Sequence, residues 1–115
     1  METFIIDRNT WLRGQFNSML FRAKDGKMCC LGQIGLQCGL NEKDMSNKIS
    51  PTNAIEHLIE FHNVNPFFIS LMNKNYFLSM KAMGINDNIY TNDKYKEIQL
   101  KSLFAKYDVE LKFIN

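Results

Sequence analysis

The chain has 115 residues, of which 45% are hydrophobic and 23% charged, with a formal net charge of +2. That length holds one domain and one modest core, and residues 1–115 read as a single globular unit. The near balance of charge, with basic residues scattered among acids, argues against a dedicated nucleic-acid binder. No apolar run approaches the ~20 residues that span a bilayer. Met1-Glu2-Thr3-Phe4 lacks the pattern of a signal peptide. Three cysteines, an odd number, point to free thiols and a reducing, cytoplasmic compartment.

Residues 3–7 are rich in β-formers and predict a short strand. An irregular segment with Trp11 follows to Gly14. Residues 17–23 read as a second strand, and Asp25-Gly26 as the turn that ends it. Residues 28–38 read as a helix with Gly39 at its left-handed C′ position and Leu40 as the hydrophobic follower. Its internal glycines weaken a helix by ~1 kcal/mol each, which close packing against a neighbouring backbone would offset.

Asn41 and Ser50-Pro51 mark two further helix starts. After the second, Ala54, Ile55, Leu58, Ile59 and His62 share a face that ends before Pro66. The apolar stretches 66–72 and 77–83 fit helix or strand equally well. Asn86-Asp87-Asn88 reads as a turn, and Asn92 or Asp93 as the cap of a helix presenting Leu100, Leu103, Phe104 and Tyr107. Val109, Leu111 and Phe113 alternate with Glu110 and Lys112, the pattern of a half-buried strand. The expected fold is α+β: a small, mostly antiparallel sheet made of the N-terminal hairpin and the C-terminal strand, with three or four helices on one face.

The strings Asp7-Arg8, Trp11-Leu12-Arg13-Gly14, Gly26-Lys27-Met28-Cys29-Cys30-Leu31-Gly32 and Ile85-Asn86-Asp87, with the segment Leu100 to Phe113, resemble a family of small uncharacterised proteins of bacteriophages and bacteria. The resemblance implies a phage accessory protein working in the host cytoplasm. It implies no particular chemistry.

Two constellations carry chemical potential. Cys29 and Cys30 open a helix beside Lys27, where the helix N-terminus and a cation both lower a thiol pKa. A thiolate nucleophile there would need His57 or His62 as base. The alternative is that all three cysteines are small buried hydrophobes. The same Cys and His residues lack the paired spacing of a zinc site. In the second constellation, Arg8, Trp11, Arg13 and Lys27 would form an anion pocket at the start of the first long helix, suited to a nucleotide or another phosphate compound. In the bland version Trp11 closes a sheet edge and Arg8 pairs with a nearby acid.

The glycines match neither the dinucleotide nor the P-loop pattern. Asn86 to Asp93 lacks the glycine and terminal Glu of a calcium loop. No cofactor, resident metal or convincing catalytic set is expected. The seven methionines, and the run 66–83 if exposed, suit a partner surface or self-association. The leading expectation is a non-enzymatic accessory protein that binds a host macromolecule, such as a host protein, or self-associates as a homo-oligomer. Behind it come a small-ligand binder and a thiol-dependent enzyme.

Overall fold

A computed structural model describes residues 1–55 and 63–115. The chain begins and ends in strands that lie side by side: β1 (Glu2–Asp7) and β2 (Val109–Ile114). Between them come α1 (Cys30–Gln37), α2 (Glu42–Met45), α3 (Pro51–Ile55), α4 (Pro66–Ser70), α5 (Tyr76–Asp87) and α6 (Asp93–Ala105). The class is α+β, but the sheet is not the one expected. β1 and β2 run parallel, in register from Glu2 opposite Val109 to Asp7 opposite Ile114. Among the described residues six helices, rather than three or four, separate them.

The expected N-terminal hairpin of residues 3–7 and 17–23 does not form. β1 is bonded by β2 on one edge and by the Gln33 and Gln37 side chains of α1 on the other, which leaves no edge of β1 for residues 17–23. Positive φ at Gly14 (68°) and Asn17 (53°) also breaks the extended backbone ahead of them. Residues 19–22 instead lie between two non-local partners. Cys29 N–H donates to Met19 O at 2.9 Å, and Leu20 N–H donates to Lys48 O at 2.7 Å. The Asp-Gly turn itself is present, with Gly26 at φ 74°.

α1 is the central helix, and its glycines are what let it pack. A Cβ on Gly32 would lie 1.8 Å from Leu20 O, and one on Gly35 2.7 Å from Met45 Sδ. The backbone of residues 19–21 therefore seats directly on the helix, the close approach that offsets the helix-weakening glycines. The helix ends in a Schellman motif: Leu40 N–H donates to Gly35 O (3.0 Å) and Gly39 N–H to Leu36 O (3.2 Å). Gly39 has φ 107°, and Leu40 is buried.

Two glutamines of α1, one turn apart, face β1. Gln37 accepts from Ile5 N–H (2.8 Å) and donates to Ile5 O (2.8 Å). Gln33 accepts from Asp7 N–H (2.7 Å) and donates to Asp7 O (3.0 Å). The side-chain amides thus complete the outer edge of β1 as a third strand would.

Of the stretch 66–72, residues 66–70 form α4 and Leu71 and Met72 lie in the turn that follows, while 77–83 falls in α5; Asn86 and Asp87 belong to the last turn of α5 rather than to a free turn. Asn92 is the N-cap of α6, accepting from Tyr95 N–H at 2.8 Å. Tyr107 lies beyond that helix. Phe4, Ile6, Val109 and Leu111 turn one sheet face into the core with Leu31, Ile34, Phe68, Leu78 and Phe104. The expected positions His57, Leu58, Ile59 and His62 fall outside the described residues. No described helix is long and apolar enough to cross a membrane.

Candidate functional site

Arg8, Trp11 and Arg13 do come together, but around internal partners. Trp11 is 2% exposed. Its indole Nε1–H donates to Asn86 Oδ1 at 2.7 Å. The same oxygen accepts from Cys30 N–H at the head of α1 (3.1 Å). Asn86 Nδ2 donates to Leu12 O (2.9 Å) and Asp87 Oδ1 (3.0 Å), and its backbone carbonyl accepts from Gly14 N–H (2.9 Å). One fully buried asparagine at the end of α5 therefore fixes the 11–14 loop and the first turn of α1 together.

The two guanidinium groups flank this hub. Arg13 lies over the Trp11 ring at 4.8 Å, pairs with Asp93 (2.9 Å) and donates to Trp11 O (2.7 Å) and Arg8 O (3.1 Å). Arg8 makes a two-point pair with Glu97 at 2.7 and 2.9 Å and sits 5.8 Å from the Phe113 ring. The hydrogen bonds that Arg8 donates to the Glu97 carboxylate raise its pKa further and hold the charge in place. Phe113 in turn packs on Trp11 at 5.2 Å. A phosphate at this cluster would have to displace Glu97 or Asp93, and a base could not reach the covered indole.

Lys27 stands apart from that cluster. Its backbone N–H donates to Asp25 Oδ1 (3.1 Å) in the exposed turn. There Asp25 is held down to about 2, first by its hydrogen bond from Arg22 and in smaller part by the charge of Lys27.

The thiols are buried. Cys29 is the N-cap of α1, and the N–H groups of Gly32 and Leu31 favour its thiolate, but burial outweighs them and pushes its pKa up to about 12. Burial also pushes Cys30 well above its ordinary value and Cys38 to about 12. These groups are neutral at physiological pH, the opposite of an activated nucleophile. The bases proposed for them, His57 and His62, lie outside the described residues. No cluster of His, Cys, Asp and Glu suited to a metal ion occurs among the described residues.

Two buried residues have roles that the local sequence does not show. Asn86 reads locally as part of a turn, and the signal for its role is its place one turn beyond the buried Ala82 on α5. Lys96 is fully buried with its ammonium donating to Thr91 O. Its signal is its phase with Leu100, Leu103 and Phe104, which puts it on the core face of α6.

A different surface carries the exposed rings. Phe16 (78% exposed), Tyr90 (90%) and Ile89 stand around a groove of about 340 Å³, with Gly84, Asp87 and Asn88 completing its walls. A Cβ on Gly84 would meet no described atom within 4 Å. Phe77 (72% exposed) and Met80 precede Gly84 at helical spacing on α5, so one apolar stripe runs along the helix to the groove. No protein-family model, curated protein or solved structure matches the chain.

Proposed function

We propose that the protein is a non-enzymatic binding protein that engages another macromolecule through the Phe16–Tyr90 groove and the outer stripe of α5. The observation that carries this reading is the exposure of three large aromatic rings, Phe16, Phe77 and Tyr90, on one side chain set that the core does not use. Large aromatic rings supply contact area at little entropic cost and dominate binding energy where they are buried by a partner. The residue types that suggested chemistry support the same conclusion: the thiols are neutral and enclosed, and Arg8 and Arg13 are committed to carboxylates. In the phage setting implied by the sequence resemblance, the partner is a protein of the bacterial host.

The test is site-specific photo-crosslinking. A photoreactive residue replaces Phe16, Tyr90 or, as a control on the exposed sheet face, Thr3. Adducts to the same host protein from positions 16 and 90, absent from position 3, are expected. The double variant Phe16→Ser/Tyr90→Ser should lose that partner while its stability changes by no more than about 0.5 kcal/mol. Equal crosslinking from all three positions, or an unchanged partner in the double variant, would refute the reading.

A further inference from the structure

The two edges of the sheet are treated differently. Gln33 and Gln37 fill the outer edge of β1, bonding the N–H and C=O of Ile5 and Asp7. The other edge belongs to β2. Arg8 N–H donates to Ile114 O at 2.9 Å, so the backbone of Ile114 faces β1. By the alternation of a strand, Lys112 and Glu110 face β1 as well, and the N–H and C=O groups of Val109, Leu111 and Phe113 point outward. None of those outward groups has a hydrogen-bond partner among the described residues. A groove of about 310 Å³ runs along this edge, bordered by Lys101 and Ala105 of α6 and by Val109 to Lys112.

We propose that this edge pairs antiparallel with the same edge of a second copy of the chain, centred on Leu111, giving a four-stranded sheet with the order β1-β2-β2-β1. Both the register and the choice of a second copy follow from charge. With Leu111 opposite Leu111 of the partner subunit, Val109 and Phe113 exchange backbone bonds across the two-fold. The solvent-facing residues then meet in close, non-hydrogen-bonded pairs: Glu110 opposite Lys112 of the partner subunit, and Lys112 opposite Glu110 of the partner subunit.

A shift of two residues either way puts Lys112 against Lys112 or Glu110 against Glu110. A shift of one turns the bonding groups away from each other. Glu110 and Lys112 already lie 3.8 Å apart within one chain, so the dimer joins two ion pairs into an alternating set of four charges. The glutamines cap both outer edges of the resulting sheet, so assembly stops at two copies. The surface is separate from the Phe16–Tyr90 groove, and neither outcome below bears on that reading.

Sedimentation equilibrium on the full chain tests it. The wild type should show a monomer–dimer equilibrium. Glu110→Lys places like charges opposite each other at both pairs, as does Lys112→Glu, and each should weaken the dimer by at least ~10-fold while circular dichroism shows an unchanged fold. Mixing the two variants in equal amounts restores opposite charges at both positions, so a heterodimer should form where neither variant dimerises alone. A wild type that stays monomeric up to about 1 mM would overturn the proposal. So would a dimer that neither variant weakens, or variants whose mixture does not recover association.

Discussion

The segment 8–13 and the surface around Phe16 and Tyr90 are alike in chemistry, each rich in rings and polar groups, yet they end in opposite states. In the first, every group of note is met from within: Trp11 by Asn86, Arg13 by Asp93, Arg8 by Glu97. In the second, the rings stand in solvent with no internal partner that buries them. Residue type alone therefore does not mark a binding site. What separates the two is whether α5 and α6 return a matching group from the far end of the chain. Where they do, an Arg–Trp cluster becomes part of the framework; where they do not, the side chains remain available to another molecule.

Removing the internal partner is the most severe way to break that distinction. Asn86→Ala leaves the Trp11 indole N–H and the Cys30 N–H without an acceptor, and Leu12 O without a donor, all in a buried setting. Each orphaned buried group costs about 1–3 kcal/mol, so a loss of at least about 3 kcal/mol is expected in chemical denaturation. Asn86→Asp restores the acceptor but not the Nδ2 donor and adds a buried charge beside Asp87, so it should not rescue the protein. A loss below about 1 kcal/mol in the alanine variant would show that the hub is dispensable and that the 8–13 loop is held in some other way.

Why the hub was hidden in the sequence is a matter of distance along the chain. The cluster of Arg8, Trp11 and Arg13 is visible locally, but the groups that neutralise it lie 75 to 89 residues away. Elements that end on their own signals were legible: the Schellman close of α1 at Gly39, the Asn92 cap of α6, and β2 with its strict alternation. The direction in which β1 and β2 pair has no local signature, because it depends on how the intervening helices return the chain. Residues 17–23 mimic a strand by composition, yet the backbone groups that hold them come from Lys27 and Cys29, just ahead of α1, and from Asn47 and Lys48. α5 lacks a clean period because Phe77 and Met80 are apolar on the outside while Leu78 and Ala82 are apolar in the core.

A smaller effect is expected at the rim of the same cluster. Arg13 is partly exposed, and its partner Asp93 is half exposed, so their ion pair is screened. Together with the lost stacking on Trp11, Arg13→Ala should cost about 1 kcal/mol. A panel of nucleotides and inorganic phosphate should give no thermal shift with the wild type, because the guanidinium groups are already paired. A phosphate-dependent rise in melting temperature that disappears in Arg13→Ala would move this cluster from the framework to the binding side of the comparison.

The thiols beneath the hub should have the least effect at neutral pH, where they are protonated in both states. Their folded-state pKa values lie above the ordinary 9.0, at about 12 for Cys29 and Cys38, with burial as the first cause. The folded protein therefore holds these protons more tightly than the unfolded chain does. The sign follows: the stability they contribute is fully present below pH 9 and is lost as pH rises from 9 toward 12. Thiolate absorbance of the unfolded chain should rise near pH 9, while that of the native protein should rise only as it unfolds at higher pH. At pH 7.5 iodoacetamide should label the native thiols far more slowly than the unfolded ones. Fast native labelling at neutral pH would show a thiolate that the packing around Asn86 and α1 fails to suppress, and it would return Cys29 to consideration as a nucleophile.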